Sequence, residues 1–190
     1  MPLVAIAFLL VLTAQIAQPQ DMPLPAEVQL PLLLKILSAD RRLQDRAGDE
    51  LVIGVLYQPR YRASVTAMEA ILEQAAKLIV PPRPGQTTRL VPVPLNGKPD
   101  WDSLLSALDL DVCYLTPFRA LGLEQLLRAT RARGVVTCTG VLEYIEAGVS
   151  IGLDVSGGRP QIVINMAGAR AEGIEFSSQL LKLARIVDKE

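Results

Sequence analysis

The chain has no histidine among its 190 residues, only two cysteines and one tryptophan, and aromatic residues make up 4% of it. The missing histidine excludes Ser-His-Asp and Cys-His nucleophile activation, histidine metal sites and the usual general base at neutral pH. Two cysteines cannot build a thiolate metal cage. Charge is balanced, with 19 Lys and Arg against 20 Asp and Glu, a formal net charge of -1 and a pI of about 5.6. No run of like charge offers a footprint for a polyanion, so no nucleic-acid partner is expected.

Carboxylate chemistry is the acid–base route that composition leaves open. Its candidates are Asp49 with Glu50, Asp100 with Asp102, Asp109 with Asp111, and Glu143 with Glu146. Each is better read as a turn residue, a helix cap or part of a solvated helix face. Gly157 and Gly158 lie between two expected strands, whereas a phosphate cradle needs a helix to start after its glycines. No catalytic residue, cofactor site or metal site is therefore assigned.

What the chain does have begins with an unbroken apolar run over residues 3–12, followed by small and polar residues up to Pro19. A bilayer span needs roughly 18 or more apolar residues, so this run is too short to cross and fits the core of a secretory signal peptide. No Lys or Arg precedes it. Residues 1–20 are read as that signal, cut near residues 17–20, residues 21–26 as a proline-rich linker, and residues 27–190 as one domain. Export brings an oxidising compartment, which makes Cys113 and Cys138 a candidate disulfide. Both fall in expected strands, one early and one late, and the offset works against the short Cα separation a disulfide needs. Two buried small hydrophobes is the competing reading.

Half of the chain is apolar, enough for one proper core. "AEVQLPLLLKIL" places Val28, Leu32, Leu33, Ile36 and Leu37 near helical spacing, with Pro31 marking a start or a bend. "LVIGVLY" reads as a central strand covered on both faces. "RYRASVTAMEAILEQAAKLIV" reads as a helix with Val65, Met68, Ile71, Leu72, Ala75 and Leu78 on its stripe. "TRLVPVPL" reads as an edge strand, because Pro92 and Pro94 cannot donate to a ladder. A helix capped by Asp100, the strand "DVCYLTP", a helix to "RATRAR", the strand "GVVTCTG" and a short helix "VLEYIEAG" continue the alternation. "VSIGLDVSGGRPQIVINM" reads as an antiparallel hairpin closing one edge. A last helix follows, with Phe176, Leu180, Leu181, Leu183, Ala184 and Val187 as its apolar face. The expected fold is a single-domain three-layer α/β sandwich with a mainly parallel sheet, a C-terminal antiparallel hairpin and a closing helix.

"VINMAGARAEGIEFSSQLLKLARIV" carries a recognisable pattern: Ile164 and Asn165, Ala169 and Arg170, Gly173, then Ser177, Ser178, Leu180, Leu181, Leu183 and Ala184. It resembles the closing signature of the YfiR-like family, and upstream "LPLLLKIL" with "DRRL", "IGVLY" and "VCYLTP" are similar to the family's opening helix and first strands. The resemblance covers roughly residues 27–187. It implies a small exported periplasmic protein of bacteria without known enzymatic activity. Best-known members repress a membrane-bound diguanylate cyclase by engaging its periplasmic domain, and a similar domain serves elsewhere as the sensor region of a histidine kinase. The characterised repressor type relies on disulfides, for which this chain offers only the Cys113 and Cys138 pair. In physical terms Asn165 can bond backbone at a strand-to-helix turn, Ser177 can cap the last helix, and Gly173 can end the preceding one.

Two readings of function follow. In the first, a regulator, active as a homodimer, holds an inner-membrane signalling protein off by contact, with Tyr57, Tyr61, Phe118 and Leu121 as an exposed apolar patch. In the second, a small-ligand module uses the crevice beyond the strand carboxyl ends, where Arg60, Arg119 and Thr139 would supply polar contacts. An enzyme is not expected.

Overall fold

The computed structural model describes residues 22–78, 85–119 and 122–188. The expected signal peptide lies outside the described residues, as does Leu121. Two helices, α1 (Ala26–Leu37) and α2 (Arg41–Ala47), precede strand β1 (Glu50–Tyr57). The chain then alternates through α3 (Arg62–Lys77), β2 (Thr87–Pro94), α4 (Trp101–Leu108), β3 (Val112–Leu115), α5 (Leu123–Arg133), β4 (Val136–Thr139) and α6 (Leu142–Glu146). It closes with β5 (Ile151–Ser156), β6 (Arg159–Asn165), α7 (Met166–Ala171), α8 (Ser178–Leu183) and β7 (Ala184–Val187).

Among the described residues these strands form one seven-stranded sheet in the order β2-β1-β3-β4-β5-β6-β7. All neighbours are parallel except β5 with β6. The expected three-layer α/β sandwich is thus the observed one. One apolar layer gathers α1, α3 and the C-terminal helices around Leu30, Leu33, Ile53, Tyr114, Ile151 and Ile164. The other gathers α4, α5 and α6 around Leu56, Trp101, Leu115, Leu126, Ile145 and Val163. β1 is buried on both faces, as a continuous apolar run requires. Pro92 and Pro94 do stand on an edge strand, β2, and Asp100 caps α4 by accepting from the Ser103 N–H at 3.2 Å.

Two elements differ from expectation. Helix α1 begins at Ala26 and runs through Pro31, which faces outward one turn in, where little more than the bond to the Glu27 carbonyl is lost. Its buried residues include Leu30, Leu33, Leu34, Ile36 and Leu37, with Val28 and Leu32 only half-buried. At the other end, the last helix stops at Leu183, and Ala184–Val187 becomes β7, paired in parallel with β6. Ile186 and Val187 are β-branched and gain a backbone ladder there. The hairpin therefore lies inside the sheet, and β7 forms the edge.

The sheet register decides the cysteine question. Cys113 pairs with Thr137 and Tyr114 with Cys138, so the two cysteines are one residue out of step and point to opposite faces. Cys113 packs in one apolar layer and Cys138 in the other, and both are free and buried. The candidate disulfide is corrected to two separate core thiols, which burial pushes well above the ordinary thiol range. A thiol titration without reductant should find both groups, and only after denaturation. A chain with no titratable thiol in denaturant would carry a bond this register forbids.

Candidate functional site

The parallel strands turn outward in opposite directions from between β1 and β3, because α3 carries the chain from β1 to β2 while α5 carries it from β3 to β4. Crevices of open α/β sheets form at such a switch point, beyond the strand carboxyl ends. Here the two loops are stitched together. Gln58 donates from Nε2 to the Arg119 carbonyl at 2.9 Å and accepts the Arg119 N–H at 2.7 Å, an imitation of strand pairing made by a side chain. Beneath it Ser64, in the first turn of α3, accepts the Gln58 N–H at 2.8 Å. Thr116 donates to the Leu56 carbonyl at 2.8 Å, so the proton shared across the 2.6 Å Ser64–Thr116 contact belongs to Ser64. The Arg119 guanidinium lies 4.5 Å from the centre of the Tyr61 ring. A cavity of about 360 Å³ remains beside this seam, lined by Gln58, Arg60, Tyr61, Asn96 and Arg119 among others.

Of the residues expected at this crevice, Arg60, Tyr61 and Arg119 meet there, and Tyr57 is half-buried at the end of β1. Two expectations are corrected. Phe118 is buried rather than exposed, its ring 6.0 Å from that of Tyr144, whose hydroxyl accepts the Phe118 N–H at 2.7 Å. Thr139 is also buried, donating to the Leu115 carbonyl at 2.9 Å and accepting the Val141 N–H at 3.0 Å. Its one proton is spent on backbone and the residue is buried, so it offers a ligand no donor. The exposed large hydrophobics among the described residues are instead Leu183 and Ile186, at the far edge of the sheet.

The C-terminal signature forms local structure. Asn165 is fully buried and caps α7, its Oδ1 accepting from the Ala167 and Gly168 N–H groups at 3.1 and 3.2 Å. Its Nδ2 donates to the Ile145 carbonyl at 2.9 Å, tying that turn to α6. Gly173 has φ +73°, a left-handed conformation just past α7. Ser177 accepts the Leu180 N–H at 3.3 Å as the cap of α8, Ser178 is exposed in the first turn, and Leu181 packs half-buried on the core. Arg170 is exposed and pairs with Asp188 at 2.7 Å.

Sequence reasoning missed the most unusual group in this region. Glu172 reads as a solvated helix end, yet it is fully buried. Its carboxyl accepts from the Thr137 N–H at 2.8 Å, the Thr137 hydroxyl at 2.7 Å and the Ser150 hydroxyl at 2.5 Å. Burial pushes its pKa up to about 7, opposed by those donors and by the Arg131 guanidinium. Gln29 on α1 was missed as well. It is buried, accepts the Tyr114 hydroxyl at 2.6 Å and donates to the Leu24 carbonyl at 2.5 Å. Asp40 is likewise buried, as the α2 cap, accepting from the N–H groups of Arg42 and Glu175, both at 3.0 Å. Nothing in the local sequence distinguishes these from surface residues.

A model of the family described as YfiR/HmsC-like matches residues 44–185, from α2 into β7. The chain belongs to the YfiR/HmsC-like family. No curated protein matches the sequence at a significant level. Among solved structures, a conserved domain protein from Vibrio cholerae O1 biovar El Tor is similar, with a TM-score of 0.59 and 21% identity over 85% of this chain and 60% of its own. An ABC domain in complex with L-Trp from Streptococcus pneumonia has a TM-score of 0.58 and 16% identity, covering 86% of this chain and 62% of its own. CD0873, a substrate binding protein with adhesive properties from Clostridium difficile, has a TM-score of 0.55 and 17% identity, covering 78% and 58%. At these identities the likeness is one of fold, and this chain spans about three fifths of each of those structures. In this YfiR/HmsC-like chain, Asn165, Gly173 and Ser177 supply the caps and turns that follow β6.

Two outcomes test this polar framework. Asn165→Ala leaves two N–H groups and a carbonyl without their partner and should lower unfolding stability by about 2 kcal/mol; an unchanged denaturation midpoint would remove Asn165 from that role. For Glu172, the native carboxyl holds its proton up to about pH 7, while the unfolded chain releases it near 4.5. Native protein therefore binds the extra proton between those values, and stability falls by about 3 kcal/mol as pH rises across that window. Melting scans from about pH 5 to 8 should show this slope in the wild type and lose it in Glu172→Gln.

Proposed function

We propose that this chain is an exported, non-enzymatic regulator that acts by protein contact, engaging the periplasmic domain of an inner-membrane signalling protein, either a diguanylate cyclase or a histidine kinase. The observation that carries this reading is membership of the YfiR/HmsC-like family over residues 44–185. Residues 1–20 would then be the signal that delivers it. Among the described residues no helix is long and apolar enough to cross a membrane, so the contact would be made from outside the bilayer. The state of the strand-end crevice also supports it. Gln58, Ser64, Thr116 and the Arg119 backbone satisfy one another there, and a ligand that parted the Ser64–Thr116 contact would leave buried hydroxyls unpaired.

The competing reading is a small-ligand module, favoured by fold likeness to two proteins whose descriptions name L-Trp and a substrate and by the cavity beside Arg60 and Arg119. One experiment separates the two. A crosslinked pull-down of the tagged, exported protein from its host's membranes, read by mass spectrometry, should recover a membrane signalling enzyme with a periplasmic domain. Recovery of the protein alone, together with a rise in melting temperature on adding a small solute, would overturn the regulator in favour of the ligand module.

A further inference from the structure

Between the amino-terminal halves of α1 and α3 lies a second cavity, of about 510 Å³, which shares no residue with the one beside the Gln58 seam. Arg62, Ala63, Thr66, Ala67 and Ala70 form one wall, a single face of α3 by their helical spacing. The other wall is the segment from Met22 to Ala26 that leads into α1, together with Gln29. Leu24, Ala26, Ile71 and Pro117 are buried and make an apolar floor, while Pro25, Arg62, Ala63 and Thr66 stand exposed at the mouth. The buried amide of Gln29 is engaged by the Leu24 carbonyl and the Tyr114 hydroxyl, so it holds the floor in place.

The lining selects a ligand by what it offers. Among the described residues that border this cavity there is neither an acid nor an aromatic ring. A cation would meet no counter-charge, and a flat aromatic molecule nothing to stack on. Two features of the mouth favour an anion. Arg89, Arg133, Arg170 and Arg185 find carboxylates within the subunit, whereas Arg62 forms no ion pair among the described residues. Tyr61 gives α3 no side-chain cap, so the open N–H groups and the positive end of the helix stand at the same mouth.

We propose that this groove binds a medium-chain alkyl carboxylate, its tail lying along Ala63, Ala67 and Ala70 over the apolar floor and its carboxylate at Arg62. Arg62 to Ala70 spans about 12 Å of helix axis, room for an extended chain of about ten carbons. The cavity falls within the roughly 300–1,000 Å³ typical of small-molecule pockets. Burial of the tail supplies the driving force, and the carboxylate keeps one side in water, which limits its desolvation cost. The site does not rest on the regulatory reading, which its failure would leave standing.

Calorimetric titration of the mature full-length protein with hexanoate, octanoate and decanoate tests the groove. The expected result is saturable binding of decanoate below ~1 mM, with affinity rising roughly threefold to fourfold for each methylene added along the series. Arg62→Gln should weaken octanoate by about fivefold and leave 1-octanol little changed. Ala67→Phe fills the groove and should abolish binding with the melting temperature preserved; should that variant fail to fold, Ala63→Phe at the exposed mouth takes its place. No saturation at ~1 mM decanoate overturns the proposal and leaves the groove to a protein segment. So does binding that is indifferent to chain length, to Arg62→Gln or to the phenylalanine variants.

Discussion

The carboxyl group of Glu172 is the point on which the second half of the molecule is assembled. A buried acid is costly unless every lone pair it presents is answered, and here the answers come from β4, through both donors of Thr137, and from Ser150 just ahead of β5. Those elements and α7 can therefore be brought together in only one relation. Gly168 shows how closely they fit: a Cβ at that position would stand 2.5 Å from the Gly148 carbonyl oxygen. Asn165 completes the junction by capping α7 and reaching back to the Ile145 carbonyl. Burial pushes the pKa of this carboxyl up to about 7, which makes the junction the place where pH is expected to bear on the fold.

Each apolar layer has its own polar tie to the sheet. In the first, Gln29 joins α1 to Tyr114 on β3 and to the segment ahead of the helix, where Leu24 is buried. In the second, Tyr144 holds the loop after β3 through the Phe118 N–H. With Gln58 clamped on Arg119, the strand carboxyl ends become a closed seam flanked by arginines. The exposed apolar residues of the described chain, Leu183 and Ile186, lie at the far edge of the sheet from this seam.

Much of the fold was legible because its causes are local. The continuous apolar run of β1, the prolines of β2, the Asp100 cap, the glycine turn between β5 and β6 and the Asn165 and Ser177 caps each depend on chemistry within a few residues. The candidate site was less legible. Arg60 and Arg119 were expected together at the crevice by the switch-point rule and Tyr61 in an apolar patch, and the three line one cavity, whereas Phe118 and Thr139 carry no local mark of burial. The segment ending in "LARIV" satisfies a helical stripe and a strand equally well over so few residues; it becomes a strand because β6 offers a ladder.

What the sequence by itself determined is the family signature, the α/β alternation, the proline-guarded edge and the exclusion of histidine chemistry, since composition and short-range pattern suffice for each. Only the tertiary structure decided that Cys113 and Cys138 face opposite layers, that Glu172 is an interior acid, and that β7 rather than the hairpin forms the free edge. Those outcomes turn on strand register and on partners far along the chain, where a shift of one residue exchanges core for surface.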